Sequence, residues 1–261
     1  MTNAWLPTEA GLRGVADDLK IALLFSTRFP LTHAEPIAGA DIARASWALP
    51  VIGALIGLLG AFAYGIAFRF NLPPLVGAAL AIVVTLAATG CLHEDGLADT
   101  FDGCGGGDRE HKLEIMHDSR IGTFGACALT ISLVLRVGAL ASLIGPAQVA
   151  MALVAAHAGA RAVMPLFLRI VPPARPDGLS ADAGRPSQTR VVAAALIGLV
   201  VLLWCLGIAQ SVVAAVALLV VLGFMRSLCL RQIGGQTGDT AGALEQISEV
   251  AILLTAAAGS A

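Results

Sequence analysis

Charge is what this 261-residue chain has least of. Asp, Glu, Lys and Arg together make up 13% of it, against roughly 25% in a soluble domain. With 57% hydrophobic residues and a mean hydropathy of +0.83, polar surface is too scarce to cover a water-exposed fold, and the composition is that of a polytopic membrane protein. Aromatics are also few, at 5% with one tyrosine. No run of Lys or Arg occurs, so a nucleic-acid-binding face is excluded. There is no uninterrupted apolar run at the start: Glu9, Arg13, Asp17, Asp18 and Lys20 break it, and no secretory signal is expected. The five cysteines, Cys91, Cys104, Cys127, Cys205 and Cys229, are odd in number and lack metal-ligand spacing. They read as reduced and structural. No internal repeat of fixed period is present, which weighs against a solenoid and against repeat-built transporters.

What is present is a series of long apolar stretches. They predict one integral-membrane domain over residues 1–261, an all-α bundle of about seven transmembrane helices. An amphipathic helix over 12–29 precedes them and is expected to lie in the membrane interface. The spans run over 48–68, 75–92, a third entered through 118–125 and ending near Ile144, then 147–171, 191–209, 212–229 and 241–258. Six spans are allowed if one of the last is re-entrant. Following the alternation, Arg69 alone falls on the far side and Arg136 and Arg161 lie within spans. That leaves 13 of the 16 Lys and Arg on the N-terminal side, which the positive-inside rule makes cytoplasmic.

The densest run of acids is His93-Glu94-Asp95-Gly96-Leu97-Ala98-Asp99-Thr100-Phe101-Asp102-Gly103. On a helix turning ~100° per residue, Asp95, Asp99 and Asp102 fall within an arc of about 60°. Three like charges so placed repel unless a cation joins them, and loosely presented carboxylates suit Mg²⁺. The competing reading is a solvated acidic turn. The acidic segment 93–120 continues through Asp118-Ser119-Arg120, where Arg120 is a candidate phosphate clamp or a simple positive-inside anchor. A second cytoplasmic loop, 232–240, carries Gly234, Gly235, Thr237, Gly238 and Asp239. Its amides would suit an anion nest and Asp239 a further metal ligand, while a plain turn with Asp239 as a helix cap explains it as well.

Inside the spans stand Arg136, His157, Arg161, Glu245 and Glu249, each costly in lipid and so expected to face the bundle interior. His157 and Arg161 share a face, as do Glu245 and Glu249. Arg136, toward the far end of its span, is expected to play a structural part or to snorkel outward. Metal-holding acids, arginines and glycine amides on one side of a membrane match displacement at phosphorus. A cation or proton transporter is the alternative from another class.

The stretch 93–103, then Met116-His117-Asp118-Ser119-Arg120-Ile121-Gly122-Thr123-Phe124-Gly125, then Gly234-Gly235-Gln236-Thr237-Gly238-Asp239 together resemble the cobalamin synthase family. Phe25-Ser26-Thr27-Arg28-Phe29-Pro30 and the Glu245…Glu249 ending resemble it too. The motifs span nearly the whole chain in the right order. His117, Gln246 and Cys104 depart from the pattern. The resemblance implies a bacterial inner-membrane, multi-pass, Mg²⁺-dependent transferase. It joins adenosylcobinamide-GDP to α-ribazole or its 5′-phosphate with release of GMP, and homo-oligomers are compatible with it. Carried onto this chain, it makes Asp95, Asp99, Asp102 and Arg120 catalytic, with Asp95, Asp99, Asp102 and Asp239 holding the metal. His93, Asp118, Ser119, Arg161, Gly234, Gly235, Thr237, Gly238, Glu245 and Glu249 would meet substrate, and Asp102 or Asp99 would be the general base. CDP-alcohol phosphotransferases share the metal logic and stay an alternative by partial match, since Ala98 leads into Asp99 with no Arg; aspartate-rich prenyltransferases use two acidic sites, and the second is missing here.

Overall fold

A computed structural model describes residues 9–31, 33, 37–176, 181 and 184–259; side chains are described from residue 14 on, so the expectations for Leu12 and Arg13 fall outside it. It is all-α, with no strand among the described residues. The helices are α1 (Glu9–Ser26), α2 (Gly39–Ala45), α3 (Leu49–Arg69), α4 (Pro74–Thr89), α5 (Leu92–Cys104), α6 (Arg109–Ile115), α7 (Thr123–Ala141), α8 (Gly145–Ile170), α9 (Gln188–Gln232) and α10 (Gly238–Ala258). Five stretches are long and apolar enough to cross a bilayer, or six if α4 and α5 together form one broken span.

This count and the expected seven differ at two places. First, α9 is a 45-residue stretch in which Gly207 (φ 74°, ψ 177°) is not helical. A straight helix of that length would reach about 67 Å. Instead Arg190, near one end, pairs with Asp18, and Gln232, at the other, accepts from Lys112. Second, the expected span 75–92 stops at Thr89. Gly90 and Cys91 both take left-handed backbone angles, and α5 leaves at 90° to α4. The acidic stretch therefore turns across the bundle instead of prolonging a span.

Along α8 and α10 the interior is layered. One apolar cluster holds Ile21, Ile52, Met164, Phe167, Met225 and Leu244. A second holds Tyr64, Ile82, Leu140, Leu153 and Ile252. Between them on α8 lie His157 and Arg161, and on α10 Glu245 and Glu249, all buried. The packing of α3 on α8 is close enough that a Cβ at Gly57 would come 2.6 Å from the Leu153 carbonyl oxygen, which explains the small residues of α3.

At the end of the bundle where α1 packs, the amphipathic stripe differs from the simple apolar pattern. Val15 is exposed, whereas Asp18 is buried. Its carboxylate accepts from Trp47 Nε1 at 2.8 Å and pairs with Arg44 at 2.6 Å and Arg190 at 3.2 Å. A buried charge so paired ties α1 to the residues preceding α3 and to the start of α9.

Candidate active site at the crossing of α5 and α10

Two glycines bring the site together. A Cβ at Gly96 would sit 2.7 Å from the Asp239 carbonyl oxygen, and one at Gly242 would sit 3.2 Å from the His93 Cα. Helices α5 and α10 thus cross backbone on backbone. The crossing places Asp99 within electrostatic range of Asp95, Asp239 and Asp102, all of one sign. Proximity of Asp239 to the trio is a product of this crossing. Replacing Gly96 with Ala puts a methyl group into the Asp239 backbone. It is expected to lower transferase activity by about 10²-fold, the effect of ~1 Å of misplacement, with the melting temperature of the detergent-solubilised protein moving far less. Activity within a few-fold of the parent would show that the crossing does not set the site.

The three aspartates of α5 have different surroundings. Asp95 is exposed and Asp99 half-buried. Asp102 is buried, and its Oδ2 and Oδ1 accept from the Gly122 and Gly125 backbone amides, each at 2.8 Å. Those amides belong to the first turn of α7, whose positive end favours a carboxylate. Asp102 therefore anchors α7 to α5, a task the sequence reading did not anticipate. Its anchor also fixes the position of Arg120, two residues before Gly122. Arg120 is exposed, at 87% of its side chain, and pairs with Asp118 at 2.6 Å. Its hydrogen bonds hold the Asp118 carboxyl below the usual carboxylate range. Ser119 is exposed beside them.

The 232–240 loop is organised differently from an open nest. The Gln236 amide donates to the Pro172 carbonyl at 2.8 Å, and the Gln236 carbonyl accepts from Ala174 N at 2.8 Å. The Thr237 amide donates to Thr240 Oγ1 at 2.9 Å. With these amides engaged, the expected run of free donors is absent from this part of the loop. Gly234 is required by its φ of 74°, and Gly235 by contact with the Pro172–Ala174 backbone. The helix cap is Thr237, not Asp239: Thr237 Oγ1 accepts from Thr240 N and donates to Asp239 Oδ2 at 3.1 Å. The hydroxyl thereby holds the Asp239 carboxylate at the start of α10.

Beneath the acids lies a second, buried group. Glu94, on the inward side of α5, meets Arg136 at 2.8 Å, and Arg136 also reaches Glu249 at 3.3 Å. Its Nη1 donates to Gln246 Oε1 at 2.5 Å. His157 lies 3.0 Å from Glu249 and Arg161 2.5 Å from Glu245. Arg161 also lies 3.3 Å from His93 Nδ1. Arg136 is fully buried and does not snorkel; its long side chain finds carboxylates on α5 and α10 instead of a membrane surface. Arg161, Glu245 and Glu249, expected to meet substrate, are here engaged with one another and with their neighbours.

Among the described residues, the group of three metal-capable side chains with ligand atoms within 4.8 Å of one another is His157, Glu245 and Glu249. Two guanidiniums already neutralise those carboxylates, so an ion-pair network accounts for them without a cation. Among the acids around Asp99, Asp239 has Thr237 Oγ1 on it and Arg175 acting from a distance. They offer hard oxygen donors and crowded like charge, and so fit a divalent cation in donor type. Arg136 and Gln246 are the members the sequence did not single out for a site. A signal was available for Arg136, as a charge within a span, but its partners are 42 and 110 residues away.

Comparison with known proteins agrees with the motifs. A profile of the cobalamin-5-phosphate synthase family matches residues 18–257. The chain is 52% identical over 254 residues to an adenosylcobinamide-GDP ribazoletransferase of Bradyrhizobium diazoefficiens, covering 97% of this chain and 98% of that one. It is 50% identical over 245 residues to the enzyme of that name from Mesorhizobium japonicum, covering 94% of each. With that of Azorhizobium caulinodans it shares 44% over 247 residues, 91% of this chain and 94% of the other. No solved structure matches. A family profile that reaches from α1 to the end of α10, and relatives aligned almost end to end, carry one conclusion: the chain belongs to the cobalamin-5-phosphate synthase family.

Proposed function

We propose that this protein transfers the adenosylcobinamide phosphoryl group of adenosylcobinamide-GDP to α-ribazole or its 5′-phosphate, releasing GMP. The observation that carries the reading is the crossing of α5 and α10. It sets Asp95, Asp99 and Asp239 together in a chain whose half-identical relatives bear that activity's name.

In this reading a ribose hydroxyl of the acceptor attacks the phosphorus on the cobinamide side of the pyrophosphate. The new phosphorus–oxygen bond forms as the bond to the GMP oxygen breaks, and the hydroxyl proton passes to a carboxylate. Asp99 suits that role better than Asp102, both of whose oxygens hold backbone amides. Asp95 and Asp239 would hold Mg²⁺, which when bound would neutralise charge on the phosphate oxygens. Arg120 would meet a phosphate oxygen after exchanging Asp118 for substrate, a change made easy by its exposure. Asp102 and Thr237 hold the frame: one fixes α7 to α5, the other fixes Asp239.

The basic residues Arg44, Arg190, Arg109 and Lys112 gather at the end of the bundle where α1 and α6 pack. With the positive-inside rule this supports an inner-membrane protein whose N-terminus and acids face the cytoplasm, with α1 along the interface. Inverted membrane vesicles given adenosylcobinamide-GDP, α-ribazole and Mg²⁺ should release GMP, and right-side-out vesicles should not. No release from purified protein would sink the activity, and release from right-side-out vesicles alone would reverse the orientation.

A further inference from the structure

Beside the acids lies a cavity of about 160 Å³ whose use the reaction does not by itself decide. Asp95 and Asp239 are among its lining residues, with Ala43, Leu49, Met164 and Leu168 among its apolar walls. We propose that this cavity is the acceptor's base subsite and takes the flat, weakly polar heteroaromatic ring of the ribazole. The inference deepens the proposed transfer reaction and rests on it for the identity of the ligands.

Three considerations favour this occupant over other parts of the substrates. The first is size: an apolar cavity of about 150 Å³ holds one benzene ring, so this one takes one aromatic ring of a base and excludes a corrin macrocycle with its amide side chains. The second is polarity. Guanine presents N1–H and an amino group as donors and O6, N7 and N3 as acceptors, and needs partners for them when buried. The polar residues lining this cavity are Ser46, His93, Asp95 and Asp239. The Ser46 hydroxyl already donates to the Ala43 carbonyl at 2.8 Å. His93 is turned by its Nδ1 toward Arg161 and Glu245. The two aspartates belong to the crowded acid group. A base with few polar atoms leaves nothing unpartnered there. The third is continuity: a ring seated among the apolar walls has its attached ribose near the two lining aspartates, where the attacking hydroxyl must be.

The walls come from distant parts of the chain. Ala43 lies on α2, Leu49 at the start of α3, and Met164 and Leu168 on α8. Ala43 and Leu168 are only half-buried, so they can be changed with limited damage to the core. Ala43→Phe narrows the cavity and Leu168→Ala widens it.

Titration calorimetry on the purified full-length protein in detergent should find α-ribazole bound about tenfold or more weakly by A43F. Binding of adenosylcobinamide-GDP should change less than about twofold, in line with what one misfit in an apolar pocket does to one ligand. L168A should shift preference about tenfold toward a ribazole analogue carrying a tricyclic base. If A43F does not fold, L168A decides alone. Weakened binding of the GDP substrate with α-ribazole unaffected would assign the cavity to the donor and overturn the proposal. So would unaltered binding of both ligands in a folded A43F together with unaltered base preference in L168A. The two readings fail separately. Normal GMP release with an unmoved α-ribazole KM in A43F removes the subsite and leaves the reaction. Loss of α-ribazole binding in A43F, from a parent that binds it and releases no GMP, removes the reaction and leaves the subsite.

Discussion

Asp99→Asn is expected to lower the rate of GMP release by about 10²–10⁴-fold, the contribution of a positioned group that moves a proton. Asp99 is the central member of the acid group: it is half-buried and lies within range of Asp95, Asp239 and Asp102. The amide keeps its size and removes its charge, so the melting temperature should hold or rise as repulsion is relieved. Asp95→Asn and Asp239→Asn should act chiefly on the cation, raising the Mg²⁺ concentration needed for half-maximal rate. With Mn²⁺ in place of Mg²⁺, the bound ion seen by electron paramagnetic resonance should decrease in both variants. Asp102→Asn should behave differently from all three. Its amide nitrogen would face a backbone N–H at the start of α7, leaving a buried donor unpaired at a cost of about 1–3 kcal/mol. Its loss should therefore appear in melting as well as in rate. Full activity of Asp99→Asn at unchanged Mg²⁺ would falsify the acid-group mechanism, and equal melting of the Asp102 and Asp99 variants would remove the separate anchoring role of Asp102.

The second large effect concerns the buried network. Arg136→Met should destabilise the protein by about 3–5 kcal/mol, because Glu94 and Glu249 are then left in the interior without their guanidinium. For a chain of this size that corresponds to a fall in melting temperature of roughly 6–20 °C. Met follows a similar path in length, so the loss is one of charge pairing more than of volume. The double variant Arg136→Met, Glu249→Gln removes one of the stranded charges and should recover part of the stability, which a purely steric role of Arg136 would not allow. Thermal unfolding in detergent measures both. Equal melting of parent and Arg136→Met would mean that the carboxylates tolerate the interior without it. Activity should fall in parallel, since Glu94 and Asp95 are neighbours on α5: the helix that holds the acids outward is held inward by this ion pair.

Much of this was readable from residues alone, and the reason differs by feature. The apolar stretches follow from the bilayer, which imposes length and composition on each segment independently of the others. The start of α6 rests on a local cap, the Asp108 side chain accepting from His111 N at 2.9 Å, a device that neighbouring residues alone specify. The acidic stretch stood out as charge in a chain that avoids it. Harder to see was the turn at Gly90 and Cys91, since a left-handed Cys is not a turn signal by type. Without it, the stretch reads as the end of a span. The glycines of 232–240 resemble an anion nest in sequence, yet two of them serve close packing and backbone geometry. The amide engaged with the backbone of residues 172–174 is that of Gln236 between them, a pairing that no neighbouring position announces.

By itself the sequence determined the class of protein, a helical membrane bundle, and the chemical type of the acidic stretch. Its motifs determined the family. These are properties of composition, local periodicity and residue order, each written in neighbouring positions. Only the tertiary structure decided that Asp239 joins Asp95 and Asp99 through the Gly96–Gly242 crossing. It alone turned Asp102 to the amides of α7 and closed Arg136 onto Glu94, Gln246 and Glu249. These are pairings between residues up to 144 positions apart, from Asp95 to Asp239. Buried charge in a low-dielectric interior must find a partner, but which partner is set by how the helices cross.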